Sequence, residues 1–142
     1  MADARYESVE EFNAVMDKTF SIMSDDPEMG PKLKAADVPQ RFEFDDLDLV
    51  LNVRATREGE EGNLLWKWSD EVDWQPLVRM TMSSETANKY FQGKENVATA
   101  IATGRIRTGG DVKAALTILP IIKPVFGRYR ELVQAEYPHL LV

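Results

Sequence analysis

From Ser8 onward apolar residues recur every three or four positions, at Val9, Phe12, Val15, Met16, Phe20 and Met23, until Asp26-Pro27 breaks the run. Ser8 and Glu11 have the spacing of a capping box, so this stretch predicts an amphipathic helix. Gly30-Pro31 and Pro39 punctuate the next segment and leave room for one short helical turn near Leu33 to Ala36. The period then falls to two. Phe42 and Phe44 alternate with charge, and Leu47, Leu49, Leu51, Val53 and Ala55 alternate with mostly polar neighbours, as a half-buried antiparallel strand requires. Arg57 to Gly62 is polar and holds two glycines. Leu64, Trp66 and Trp68 resume the alternation beyond it, which predicts a hairpin. After a loop around Trp74, Leu77 to Met82 reads as a further strand, with Val78, Met80 and Met82 on one face.

The stretch from Phe91 to Leu119 reads as a compact unit of short elements. Ser83 or Ser84 caps a helix that Gly93 ends, Asn96 caps an Ala-rich helix to Ala102, Arg105 to Thr108 form a strand after Gly104, and Asp111 caps another helix. From there Leu116, Leu119, Ile122, Phe126, Tyr129 and Val133 keep helical spacing through Pro120 and Pro124, which predict a kink or a restart. With strands grouped in the middle, helices at both ends and one late returning strand, the expected class is α+β. About five strands form a mostly antiparallel sheet covered on one face by helices, in a single domain over 1–142.

Thr81, Met82, Gly93, Lys94, Asn96, Ala100, Gly104, Arg105, Ile106, Arg107, Gly110, Asp111 and Ala115 fall, without a gap, on the pattern of the sterol carrier protein 2 domain. The match runs well over residues 76 to 119, loosely over the earlier strands, and leaves out the last twenty or so residues. The chain thus resembles that family. The resemblance implies a hydrophobic tunnel between sheet and helices and non-catalytic carriage of a fatty acid, fatty acyl-CoA or sterol-like ligand. The expected lining is Leu49, Leu51, Val53, Trp66, Met80 and Met82 from the strands, and Phe91, Ile101, Ile106, Leu116, Leu119, Ile122 and Phe126 from the later half. Asn88, Lys89 and Thr108 depart from the family's more apolar pattern. Facing outward they leave a tunnel open, and facing inward they partly fill it.

Composition narrows the chemistry. The net charge of −7 argues against nucleic acid, because phosphate binding requires a basic surface. Charge is nevertheless uneven: residues 1–75 hold 8 Lys and Arg against 19 Asp and Glu, and residues 76–142 hold 9 against 5. A surface made from the second half could therefore meet anionic headgroups. The chain has no Cys, which removes disulfides and thiolate metal ligands. No apolar run approaches the ~18 residues that span a bilayer. The opening M-A-D-A-R-Y-E lacks the apolar run of a secretory leader and H-L-L-V is not a peroxisomal address, so a cytoplasmic location is expected.

Catalytic chemistry finds little support. His139 is the one histidine and lies beyond Pro138, three residues from the last, where fraying is expected and nothing orients a ring. Glu43, Asp45, Asp46 and Asp48 lack the glycine-bearing loop of a calcium site, and a solvated hairpin accounts for them. The glycines of Gly104 to Asp111 match neither dinucleotide nor phosphate-loop spacing. No enzyme, cofactor or metal is expected. The partners expected are a lipid, an anionic membrane surface and lipid-metabolising enzymes; the alternative is an accessory domain that keeps the fold and binds a partner protein. Leu119 to Val133, apolar nearly all round and interrupted by two prolines, is expected to cover one end of the cavity as a movable lid.

Overall fold

The computed structural model describes residues 5–142. The leader expectation falls partly on residues 1–4, outside the described residues. Two helices, α1 (Val9–Asp25) and α2 (Met29–Ala36), precede four strands, β1 (Gln40–Phe44), β2 (Leu49–Ala55), β3 (Leu64–Lys67) and β4 (Val78–Met82). Helices α3 (Ser84–Phe91) and α4 (Val97–Ala102) follow, then β5 (Ile106–Gly110), α5 (Val112–Ile122), α6 (Val125–Glu136) and a 3-10 turn at Pro138–Leu140. The sheet order is β3-β2-β1-β4-β5. β1 and β4 run parallel, and the other three pairings are antiparallel.

Local chemistry explains the boundaries. Ser8 Oγ accepts the Glu11 N–H at 3.0 Å, while Glu11 reaches back to the Glu7 N–H at 3.1 Å and starts α1. Ser83, Asn96 and Asp111 likewise accept the N–H three residues on, opening α3, α4 and α5. Helix α2 is longer than the single turn expected from its Gly-Pro. Pro31 falls in its first turn, where a missing N–H costs nothing, and Asp26 Oδ1 accepts the Glu28 and Met29 N–H groups ahead of it. Pro124 restarts the chain as α6, whereas Pro120 is accommodated inside α5.

The register puts Phe42, Leu51, Met80 and Thr108 in one row across the sheet, and Met82 beside Ile106 in the next. This apolar face is covered by the helices. The opposite face is polar: Glu43 accepts from Arg41 at 3.0 Å and from Thr81 at 3.1 Å. Over β2 that outer face is itself buried. Asn52 donates to the Ser69 carbonyl at 2.7 Å, and Arg54 sits 4.8 Å from the Trp74 ring centroid while binding Glu60 through two nitrogens at 2.6 and 2.8 Å. The hairpin linking β2 and β3 is thus fixed by a bidentate ion pair.

The Arg54 guanidinium, joined by the Arg57 N–H, holds the Glu60 carboxyl down at about 2. A carboxylate lowered on folding contributes stability that is present above its unfolded value and is lost as pH falls through the folded one. Thermal unfolding of the parent and of Glu60→Gln is therefore expected to show a gap at pH 7 that closes between about pH 4.5 and pH 2. A gap of constant size over that window would show that the pair does not report on folding.

Half of the inner face is filled. Phe12 of α1 packs edge-on against Phe44 at 4.7 Å, and Val15 and Met16 are fully buried beside it. α6 contributes Val125, Tyr129 and Val133, also fully buried. The C-terminal end is docked rather than frayed: Leu140 is fully buried, and His139 Nε2 lies 2.7 Å from Glu11 Oε1. Among the described residues no helix is long and apolar enough to cross a membrane.

Candidate functional site: an apolar slot below α4 and α5

The other half of the inner face is not filled. Between it and the facing helices lies a slot of about 60 Å³, and beside it an open cleft of about 710 Å³ lies between α4, α5 and the start of α6. The sheet supplies Val53, Met80, Met82 and Ile106 to the slot; the helices supply Phe91, Ile101, Leu116, Leu119 and Ile122. Nine of the expected lining residues thus converge on one space. Tyr90, Val97, Ile101, Val112, Leu116 and Leu119 border both the slot and the cleft, so the two lie side by side.

Four expected residues lie elsewhere. Leu49 and Leu51, paired with Phe44 and Phe42, do not border the slot, and Leu51 is fully buried in packed core. Trp66 turns toward α1, its ring 5.8 Å from Phe20 and its indole N–H donating to Asp17 at 3.0 Å. Phe126 stands in the outer cleft, 5.5 Å from the Tyr90 ring, and does not reach the slot. Strand alternation identifies a face; it does not say which half of that face a helix will cover.

Several lining residues were missed. Phe20, Met23 and Leu33 come from α1 and α2, whose apolar stripes carry no sign of bordering a space rather than a core. Val112 continues the Leu116 stripe one turn back, and this spacing was available in the sequence. Tyr90 was hidden by its neighbour Phe91.

Asn88 is buried but turned away from the slot. Its Nδ2 donates to the Leu140 carbonyl at 2.8 Å and its Oδ1 accepts from Tyr129 at 2.7 Å and Gln92 at 2.9 Å. Lys89 faces solvent and pairs with Glu85 one turn back. Only Thr108 reaches the slot, where it and Gln40 place small polar patches on a surface that is otherwise hydrocarbon and aromatic.

The cleft is unusual for its exposed apolar groups. Leu116 is 56% exposed, Val112 43% and Ile101 37%, all on α4 and α5. Of α5 only Ile118 and Ile122 are buried. Glu95 is at the rim, engaged by Arg105 at 2.5 Å, while Lys123 beside it makes no ion pair among the described residues. Burial pushes the Tyr90 hydroxyl pKa up, so it remains a proton donor.

Chemistry elsewhere is structural. Asp46 accepts the Ser84 N–H at 2.8 Å and its hydroxyl at 2.6 Å, and Asp45 pairs with Arg107, so two of the acidic turn residues brace α3 and β5. Glu7, Glu11 and His139 converge within 4.8 Å of one another, with Glu11 Oε1 already shared between His139 and the Glu7 N–H.

This arrangement can be compared with solved structures. The chain is similar to the UbiJ-SCP2 ubiquinone synthesis protein, at 9% identity and TM-score 0.60, covering 85% of this chain and 95% of that one. It is also similar to the sterol carrier protein domain 2 of Helicoverpa armigera, at 16% identity and TM-score 0.55, covering 90% and 97%. The chain has the sterol carrier protein 2 fold. The same fold is found within a larger enzyme, the stereoselective inverting sec-alkylsulfatase Pisa1 from a Pseudomonas species. There the match is 20% identical with TM-score 0.51, covering 69% of this chain and 14% of the sulfatase. Neither protein-family models nor curated proteins gave a match.

Proposed function

We propose that this domain binds lipids by their hydrocarbon part, seating the chain in the slot below α4 and α5, and carries them without a chemical step of its own. One observation carries the reading: an apolar slot lies beside a cleft, and the side chains the two share include Ile101, Val112 and Leu116, which are exposed to water. Exposed apolar side chains clustered beside an apolar space are favourable only when something covers them. The ligand range is that of a fatty acid, fatty acyl-CoA or sterol-like molecule, taken up in the cytoplasm. The unpaired Lys123, with exposed Lys94 and Lys113 on the neighbouring segments, suits the cleft to an anionic membrane surface or to a lipid-metabolising enzyme.

Burying about twelve methylenes at ~0.8 kcal/mol each gives a gross gain near 10 kcal/mol, which supports micromolar binding after the costs of association. The closed slot is too small for that, since ligand pockets run to roughly 300–1,000 Å³. The wall must therefore move. α5 is the element suited to it: its outer side is exposed, and Pro120 removes one backbone donor from its last turns. The lid is thus α5, and the segment Leu119 to Val133 does not move as one body, because Val125, Tyr129 and Val133 are locked in the core. The accessory reading would need the slot plugged; of the three residues that could do so, Asn88 and Lys89 point elsewhere and Thr108 reaches it without filling it.

Hydrogen exchange with and without a long-chain fatty acid tests this. Amides of 112–119 are expected to exchange readily in the free protein and to slow on ligand addition, while those of 126–133 stay protected in both. No ligand-dependent change anywhere in 97–120 would overturn the reading.

A further inference from the structure

We propose that the free edge of β5 is where this chain pairs with a second copy of itself, as an antiparallel two-fold extension of the sheet centred on Thr108. The inference does not depend on the lipid-binding reading. β5 ends one side of the sheet and is paired only with β4, over consecutive residues without a bulge. Asp111 donates its N–H to the Leu77 carbonyl at 2.8 Å, which sets the phase of that ladder. Arg107 and Gly109 therefore turn their backbone groups toward β4, and Ile106, Thr108 and Gly110 turn theirs outward. Among the described residues nothing bonds those outward groups. The opposite edge differs, since Ser24 Oγ accepts the Leu64 N–H of β3 at 3.1 Å. A row of unpaired backbone groups with no proline and no bulge is a template for a further strand.

The residues along the edge specify the occupant. Centred on Thr108, antiparallel pairing sets Thr108 against its own copy and Ile106 against Gly110, so every outward N–H and carbonyl of the strand finds a partner. Arg107 then faces Gly109 of the other copy, and Arg105 faces Asp111 of the other copy, an opposite-charge pair that the two-fold axis repeats. A register centred on Arg107 would set that cation against itself. One centred on Gly109 would set Ile106 against Val112, which already belongs to α5. Antiparallel addition at an edge keeps the helix-covered faces on one side, so the slots of both copies lie on the same side of one continuous sheet.

Sedimentation velocity of the whole chain over a concentration series, read together with amide exchange, tests this. The parent is expected to become dimeric at or below roughly 1 mM. Amides of 106, 108 and 110 should gain protection as the dimer forms, while those of 107 and 109 are protected throughout. A Cβ added at Gly109 would meet only the Arg79 Cβ, at an ordinary 3.8 Å, so the fold has room for a charged side chain there. Gly109→Lys, which faces Arg107 of the other copy twice, is expected to raise the dissociation constant of the dimer about tenfold or more, and Gly109→Glu to leave it equal or lower. Adding Arg107→Glu to Gly109→Lys should restore pairing, with circular dichroism checking the fold of each variant. A parent still monomeric at roughly 1 mM, a dimer that leaves the amides of 106, 108 and 110 unprotected, or folded Lys and Glu variants of equal dimer affinity would each overturn the proposal. Should Gly109→Lys fail to fold, the exchange pattern of the parent decides alone.

Discussion

Replacing Met80 by Asp is expected to lower affinity for a fluorescent fatty acid at least about a hundredfold and to leave the domain folded. Met80 lies mid-strand in β4, between Phe42 and Thr108, and its side chain borders the slot. It is only half-buried in the free protein, so a carboxylate placed there keeps enough water to remain tolerable. A hydrocarbon chain entering the slot would strip that water. Stranding an ionised group against methylenes costs at least several kcal/mol, and each ~1.4 kcal/mol is a factor of ten. Ile106→Asp should also abolish binding, but Ile106 is 1% exposed and its loss of affinity would be entangled with loss of the fold. Met80→Leu is the matched control and should bind normally. A folded Met80→Asp protein with parental affinity, judged by circular dichroism and titration, would place the ligand somewhere else.

The slot was legible where a single element determined its own geometry. Alternation in β4 identified the inward face of Met80 and Met82, and the helical stripe from Leu116 through Leu119 to Ile122 identified residues of α5 that border the slot, although the side chains α5 buries are Ile118 and Ile122. Caps were legible for the same reason: Asn96 and Asp111 announce α4 and α5 by chemistry confined to four residues. What failed depended on the docking of one element against another. Leu49 and Leu51 have the same alternation as Val53, yet only Val53 borders the slot, and nothing in β2 records where helices from other parts of the chain will pack. Trp66 left the lining because Asp17, on α1, bonds both it and Trp68, at 3.0 and 2.8 Å.

The C-terminal end was misread for a related reason. Pro138 and a nearby chain end predict fraying when only local propensity is weighed, yet the partners that hold this segment lie about fifty residues earlier, on α3. Gln92 Nε2 donates to the Leu140 carbonyl at 2.7 Å, and Gln92 Oε1 accepts the Val142 N–H at 3.0 Å. Two amide side chains one turn apart on a helix look like surface residues in a sequence. Their burial becomes intelligible only when the carbonyl they serve is brought against them.

The same network yields the largest stability change expected here. Asn88→Leu should lower the melting temperature by roughly 10 °C, corresponding to about 3 kcal/mol for a domain of this size. Tyr129 gives its proton to Asn88 Oδ1, so Tyr6, 2.6 Å away, must be the donor in the tyrosine pair. Removing Asn88 therefore leaves a fully buried Tyr129 hydroxyl without its acceptor, takes one of two donors from the Leu140 carbonyl, and frees Gln92 Nε2 from its second bond. Leucine fills the volume but satisfies none of these groups, and the unmet polar atoms rather than a cavity carry the loss. Tyr6→Phe, which deletes one bond at the edge of the network, should cost only about 1 kcal/mol. Because Asn88 does not border the slot, fatty acid affinity measured well below the transition should be unchanged in Asn88→Leu. A melting temperature within 2–3 °C of the parent would show that the C-terminal turn is held by Leu140 packing alone. A stable variant that had lost lipid binding would instead return Asn88 to the ligand site.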